Sequence, residues 1–206
     1  MRSRAHGDAG QVFPIYLTVV AGLLFLAFAY FAVGQAAVNR NGAQTAADAA
    51  ALAAAQETRD QLADLWIVDV RDPAKWQGIF DGNGADDTCW RAFELAAMND
   101  AGNVECGPDG PLGYSVTVRT NKPIGSSVVP GTADRRSHAS ATAVIEPLCE
   151  FELPGEGSEG EVPGEGSEGE LLPKLTCEGG RDWELDPKDL TDLPAPEDLF
   201  DVHLAD

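Results

Sequence analysis

Positive charge is scarce in this 206-residue chain: 14 Lys and Arg stand against 34 Asp and Glu, a formal net charge of −20. Phosphate recognition needs clustered cations, so the balance argues against nucleic acid as a partner. Histidine is scarcer, and His6, His138 and His203 lie in three separate segments. No HExxH, GxSxG, Walker or GxGxxG pattern occurs in a context where its chemistry would work. Ser137 and His138 near Asp134 read as a solvated loop. The turn-rich run Asp81 to Asp87 has a superficial likeness to a calcium loop. Ala85 and Ala92 stand where that loop needs oxygen ligands, so the pattern fails twice. Four Cys contain no CxxC, which argues against zinc and thioredoxin-type chemistry. The expectation is a chain with no catalytic residue, no metal site, no cofactor and no small-molecule substrate.

Charge of either sign is missing from Ala9 to Asn39. Inside that gap, Val12 to Val33 (VFPIYLTVVAGLLFLAFAYFAV) is an apolar run of 22 residues. As a helix it extends roughly 33 Å, enough for a hydrocarbon layer of about 30 Å. It has no polar face, as a buried soluble helix of that length would. Tyr16 and Tyr30 suit interfacial positions near its ends, and Pro14 falls in the first turn, where its missing N–H costs little. Arg2 and Arg4 precede the run and the acidic bulk follows it, which puts the N-terminus in the cytoplasm. Ala32-Val33-Gly34 has the form of a signal cleavage site, but the run is longer than the usual h-region and helix-forming sequence continues past it. The reading is a retained single-pass anchor in the cell membrane.

Neither Pro nor a turn cluster interrupts residues 34–66, and only Gly42 weakens them as helix, by roughly 1 kcal/mol relative to Ala. Span and continuation can form one rod, with a bend expected near Gly42. At 100° per residue the segment QTAADAAALAAAQ (44–56) divides in two. Asn41, Gln44, Thr45, Asp48, Gln56 and Arg59 make a polar stripe, with Leu52 inside it. Ala43, Ala46, Ala50, Ala53 and Ala54 make a ridge of small side chains opposite. Such a ridge permits close backbone approach, either by another protein's helix, the leading reading, or by this chain's own strands.

Beyond residue 66 the sequence reads as a small α+β head. Ile67 to Val70 fit a short strand or the end of the long helix, with Pro73 stopping either. TCWRAFELAAMND (88–100) is helical, with Asp86 or Asp87 as its N-cap and Trp90, Phe93 and Ala97 sharing one face. LGYSVTVRT (112–120) and SHASATAVIEP (137–147) alternate with the period of half-buried strands. A further short pairing is expected at Ser126 to Val129. The four Cys allow three pairings. Cys89 begins the short helix and Cys106 follows it, with Gly102 and Asn103 able to turn the chain back. Cys149 and Cys177 flank the next segment. The favoured pairs are therefore Cys89–Cys106 and Cys149–Cys177, in a compartment where disulfides persist.

After Glu150 the composition changes. LPGEGSEGE and VPGEGSEGE follow one another as a tandem repeat (153–170), which reads as a flexible charge-extended linker. Residues 150–206 hold 18 acids against Lys174, Arg181 and Lys188. The acidic C-terminal region is expected to be disordered, although Leu199, Phe200, Val202 and Leu204 offer a docking edge.

The segment GQVFPIYLTVVAGLLFLAFAYFAVGQAAVNRNGAQTAADAAALAAAQ resembles the N-terminal part of Tad/Flp pilus-assembly proteins of the TadG-like and TadE-like kind. The resemblance covers about residues 10–60. Its specific part is the motif Gln44, Ala46, Ala47, Asp48, Ala49, Ala50, Ala51, Leu52. Cys89 and Cys106 around an alanine- and aromatic-containing helix, and the alternating Ala139, Ala141 and Ala143, also look like relatives of that family. The resemblance implies a membrane-anchored, pilin-like component of a tight-adherence pilus or related secretion apparatus, with the bilayer and other pilus proteins as partners. Processed pseudopilins carry Glu at the fifth residue after the cleavage Gly, whereas Ile15 would stand there after Gly10. An uncleaved accessory protein fits better than a major filament subunit.

The expected fold is therefore α+β. A cytoplasmic N-terminus (1–10) precedes a transmembrane helix (11–34) and an Ala-rich juxtamembrane helix (35–66). A small pilin-like head with an antiparallel sheet (67–150), a repeat linker (151–174) and an acidic tail (175–206) follow. The alternative function is a membrane-tethered binding module or adhesin presenting that tail.

Overall fold

The computed structural model describes residues 12–123, 134–153 and 172–205. One helix, α1 (Val12–Val68), runs without interruption through Gly34 and Gly42. A Cβ at Gly42 would meet nothing within 4 Å, so this residue answers no packing need. Ile67 and Val68 close α1 rather than opening a strand. A 3-10 turn (Pro73–Lys75) and α2 (Trp76–Phe80) follow, then α3 (Cys89–Met98).

The main sheet has four antiparallel strands in the order β1-β2-β3-β7: β1 (Ala101–Pro108), β2 (Gly113–Thr120), β3 (His138–Pro147) and β7 (Phe200–Leu204). Asp100, at φ 57, swings the chain from α3 into β1, and Asn103, at φ 51, lies in the irregularity between Gly102 and Glu105. In β2 the alternation seen in the sequence becomes a buried face of Tyr114, Val116 and Val118. That face packs on α1, as do β3, β7 and α3.

The acidic C-terminal region corrects the expectation of disorder over its described residues. β4 (Cys149–Phe151), β5 (Leu175–Cys177) and β6 (Arg181–Trp183) make a second antiparallel sheet. A short helix, α4 (Pro196–Leu199), then delivers β7 to the free edge of β3, Ile145 opposite Val202 and Pro147 opposite Phe200. Leu199 and Phe200 are fully buried. Composition argued for disorder because acids dominate, but a few apolar residues join an aromatic cluster of the head. Ring centroids lie 5.4 Å apart for Trp66–Trp76, 5.3 Å for Trp76–Phe151 and 5.2 Å for Phe80–Phe200. Aromatic pairs at such separations add about 0.5–1.5 kcal/mol beyond area burial. The short pairing expected at Ser126 to Val129 and the repeats at 154–171 lie outside the described residues.

Candidate functional site

No side-chain cluster among the described residues could hold a metal ion. Resolved titration shifts there belong to Lys75 and Lys174, both raised, first by hydrogen bonds from their ammonium groups to Asp69 and Asp182 and then by those charges. Raised in this way, the two exposed ammonium groups hold their protons more firmly and are not prepared as proton donors at neutral pH. The features that set this molecule apart are instead mechanical: a bare apolar rod, its seam with the head, and the latch between them.

The rod is the lower half of α1. Phe13, Ile15, Leu17, Leu23, Phe25, Phe28, Phe31 and Val38 are all mainly exposed, and no residue of the apolar stretch is buried against the rest of the chain. Soluble monomers rarely expose a contiguous apolar patch beyond a few hundred Å². In length and composition this helix can cross a membrane.

The seam begins at Ala43. Ala43, Ala46, Ala47, Ala50, Ala51, Ala53, Ala54 and Ala55 are all buried. At 100° per residue they cover roughly 200° of the helix, wider than the ridge read from sequence. The sheet and α3 wrap this arc, so the ridge is occupied by the chain's own head. In the motif, Asp48, Ala49 and Leu52 are half-buried and Gln44 is exposed, along the border of the arc. The Gln44 amide donates to Asp48 at 2.7 Å, one turn on. Alanine suits this place because it keeps helix propensity high while letting strands approach the backbone.

α3 seats on α1 by its small side. Cys89, Ala92 and Ala96 are buried, whereas Trp90 is 52% and Phe93 48% exposed. Trp90, Phe93 and Ala97 share one face, as the helical spacing requires, and that face is the exposed one. A close helix–helix approach needs small residues on the contact, and the Cys89–Cys106 disulfide, at a Cα–Cα distance of 5.7 Å, pulls the Cys89 face toward β1. The aromatic residues are left to solvent. The second disulfide joins Cys149 to Cys177 as directly paired residues of β4 and β5. It closes the chain on either side of the repeats. In the chain-entropy view each bridge contributes about 3 kcal/mol.

N-capping of α3 also differs in detail. Thr88 occupies the cap, and the Asp87 carboxylate accepts from the Cys89 N–H at 2.7 Å. Thr88 itself points inward: its hydroxyl donates to the Ala54 carbonyl at 2.8 Å and lies 2.9 Å from the Thr58 hydroxyl. Thr58 in turn lies 3.1 Å from the Tyr114 hydroxyl. This buried cluster ties α1, α3 and β2 together. Sequence reasoning missed it, although Thr58 was a visible signal, a polar residue on the arc that Ala47, Ala51 and Ala54 share. The calcium-like run 81–87 is a largely exposed turn closed at Gly82, which has φ +85 and where a Cβ would meet the Pro111 carbonyl oxygen at 2.7 Å. His138 is exposed at the start of β3.

The latch is Asn39, one residue beyond Val38. Its amide donates to the Lys122 carbonyl at 3.1 Å. Its carbonyl oxygen accepts from the Thr120 hydroxyl and from the Ser137 N–H, each at 3.2 Å. One side chain thus clamps the ends of β2 and β3 to the helix where the apolar rod stops.

Residues 10–57 match a family model described as putative Flp pilus-assembly TadE/G-like. The match covers the apolar rod and the alanine arc and stops before Thr58. No curated protein and no solved structure matches the chain significantly.

Proposed function

We propose that this chain, which carries a TadE/G-like segment at residues 10–57, is a structural and assembly component of a Tad/Flp-type pilus or related secretion apparatus. It is anchored by one membrane-spanning helix, N-terminus in the cytoplasm, and is non-catalytic. The carrying observation is that a single helix is bare and apolar over residues 13–38 and then becomes the core of the head. Such a helix joins bilayer and head without a hinge. Force or register imposed on the span is transmitted to the sheet, which is the property an assembly component needs.

The alanine arc is occupied within the chain, which leaves the bare span and the outer faces of the head for other pilus proteins. The test is to remove the chain from cells that make such pili and count surface filaments. Loss of filaments, with the filament subunit still in the membrane, is expected. Restoration should need the full chain with its span; filaments unaffected by the deletion would refute the proposal.

A further inference from the structure

We propose that the rim of the head around the helix exit is a cationic collar that docks on anionic phospholipid headgroups in the leaflet the helix leaves. This rests on the reading of residues 13–38 as a membrane span. The cations of this acidic chain are not spread evenly. Between residues 34 and 149 there are nine Lys and Arg, and five of them (Arg40, Arg119, Lys122, Arg135 and Arg136) belong to segments gathered at one level. Arg40 follows the latch residue directly. Lys122 lends its carbonyl to Asn39, and Ser137, beside Arg136, lends its N–H. Arg119 pairs in the sheet with His138, and His138 shares a shallow cleft of about 430 Å³ with Arg40.

Few acids answer them. Lys122 pairs with Asp100 at 2.6 Å, and Asp134 is the other carboxylate of these segments; among the described residues Arg40, Arg119, Arg135 and Arg136 make no ion pair. Residues 124–133 add no charged residue. Arg40, Lys122, Arg135 and Arg136 are exposed. The rim thus carries five cations against two anions, in a chain of net charge −20.

Position decides what such a patch meets. Val38 is the last large exposed apolar residue of the lower rod, so the collar lies where hydrocarbon gives way to headgroups. The acid-bearing strands β4 and β5, at Phe151 and Leu175, lie beside the Trp76 and Phe80 aromatic cluster at the other end of the head. From Asn39 to Val68 the helix rises roughly 44 Å. That is several times the Debye length of about 8–10 Å, so the described acids of the distal sheet, such as Glu150 and Asp182, do not cancel the collar's field at the bilayer. A basic residue beside an anionic membrane improves partitioning by roughly fivefold at full effect. Five on one rim are enough to fix the tilt and height of the head. Insertion orientation is unaffected, because four of the five reach this level only after the sheet has folded.

The full chain is reconstituted in lipid nanodiscs of phosphatidylcholine alone, or of an equimolar mixture with phosphatidylglycerol, and backbone hydrogen exchange is followed. Exchange at 119–122 and 134–138 should be several-fold slower in the anionic discs. The quadruple variant R119Q/K122Q/R135Q/R136Q should lose that difference while the peptide around Thr58 keeps its protection, which reports an intact head. The variant R119K/R135K/R136K should retain it. Equal exchange in both lipids with residues 13–38 protected would overturn the collar, leave the anchor standing, and make an acidic protein the better partner for the rim. Unprotected 13–38 in both discs would overturn the anchor and the collar together. Slowing by soluble glycerol phosphate in phosphatidylcholine discs would mean a free-phosphate site and would also overturn docking on a lipid surface.

Discussion

Thr58 and Thr88 hold their hydroxyl oxygens 2.9 Å apart with 2% and 0% of their surfaces exposed. They come from α1 and from the cap of α3, thirty positions apart in the chain. Their contact sits where helix, helix and sheet converge, with Tyr114 and the Ala54 carbonyl completing the group. In a core otherwise built of alanine, this cluster supplies direction that small apolar contacts lack: it sets which turn of α1 meets α3.

Replacing either threonine with valine should destabilise the head by about 1–3 kcal/mol, because each change takes one hydrogen-bond partner from the buried hydroxyls that remain. The double variant T58V/T88V should cost less than the sum of the singles, since the two act in one network. Chemical unfolding of the micelle-solubilised chain, followed by near-UV circular dichroism, measures this. Additive losses would mean that the hydroxyls act separately.

The C-terminal strand is the next point of leverage. Phe200 is fully buried against Phe80 and opens β7 beside Pro147. Phe200→Ala should cost about 3–5 kcal/mol by the cavity it leaves. Excising residues 154–171 and joining 153 to 172 through a short Gly-Asn turn should leave the melting temperature unchanged or slightly raised, because β4 and β5 stay paired and the loop to be closed is shorter. A large loss of stability on excision would show that the repeats brace the head.

The alanine arc and the face of α3 make opposite predictions. Ala50→Leu or Ala54→Leu forces a larger side chain into a closed seam and should cost about 1–3 kcal/mol or more. Trp90→Ser and Phe93→Ser remove large residues that are about half exposed, so each should change stability by little more than roughly 0.5 kcal/mol. Thermal melts of the four variants read this directly. A severe loss at Trp90 would mean that the face is covered in the intact molecule.

Those two elements also explain what sequence could and could not reveal. The long helix was legible because an uncharged run and an unbroken helical sequence need only local physics. β2 and β3 were legible because Tyr114, Val116 and Val118, and Ala143 with Ile145, alternate cleanly. Which face of α3 is buried was not legible: apolarity alone favours Trp90 and Phe93, while close packing against α1 rewards Ala92 and Ala96 instead. A small-residue ridge looks the same whether its occupant is another protein's helix or the chain's own sheet, so Ala43 to Ala54 could not decide the matter. The strands after the repeats are three to five residues long. Their order depends on a disulfide and on aromatic residues far away in sequence, neither of which leaves a periodic signal.

The latch at Asn39 carries the most direct prediction about function. Its three hydrogen bonds reach Lys122, Thr120 and Ser137 and are the described polar contacts between the foot of the head and the helix at that level. The sheet higher up is held by buried alanines and the hydroxyl cluster, so Asn39→Ala should loosen the foot without melting the head. Thr120 and Ser137 also bond each other at 3.1 Å, and the Thr120 N–H donates to the Ser137 carbonyl at 3.0 Å, so the strand ends stay joined as a pair that lifts together. The expected result is several-fold faster hydrogen exchange at 120–122 and 137–138, with protection at Thr58 and Tyr114 retained and a stability loss of about 1–2 kcal/mol. If a rigid join of span and head is what the assembly uses, Asn39→Ala should reduce filament number in cells while the chain stays at normal abundance in the membrane. Asn39→Asp keeps the acceptor for Thr120 and Ser137 but loses the donor to Lys122, and should fall between the two. Faster exchange at the foot with filaments at full number would separate the latch from assembly and leave it a purely structural clamp.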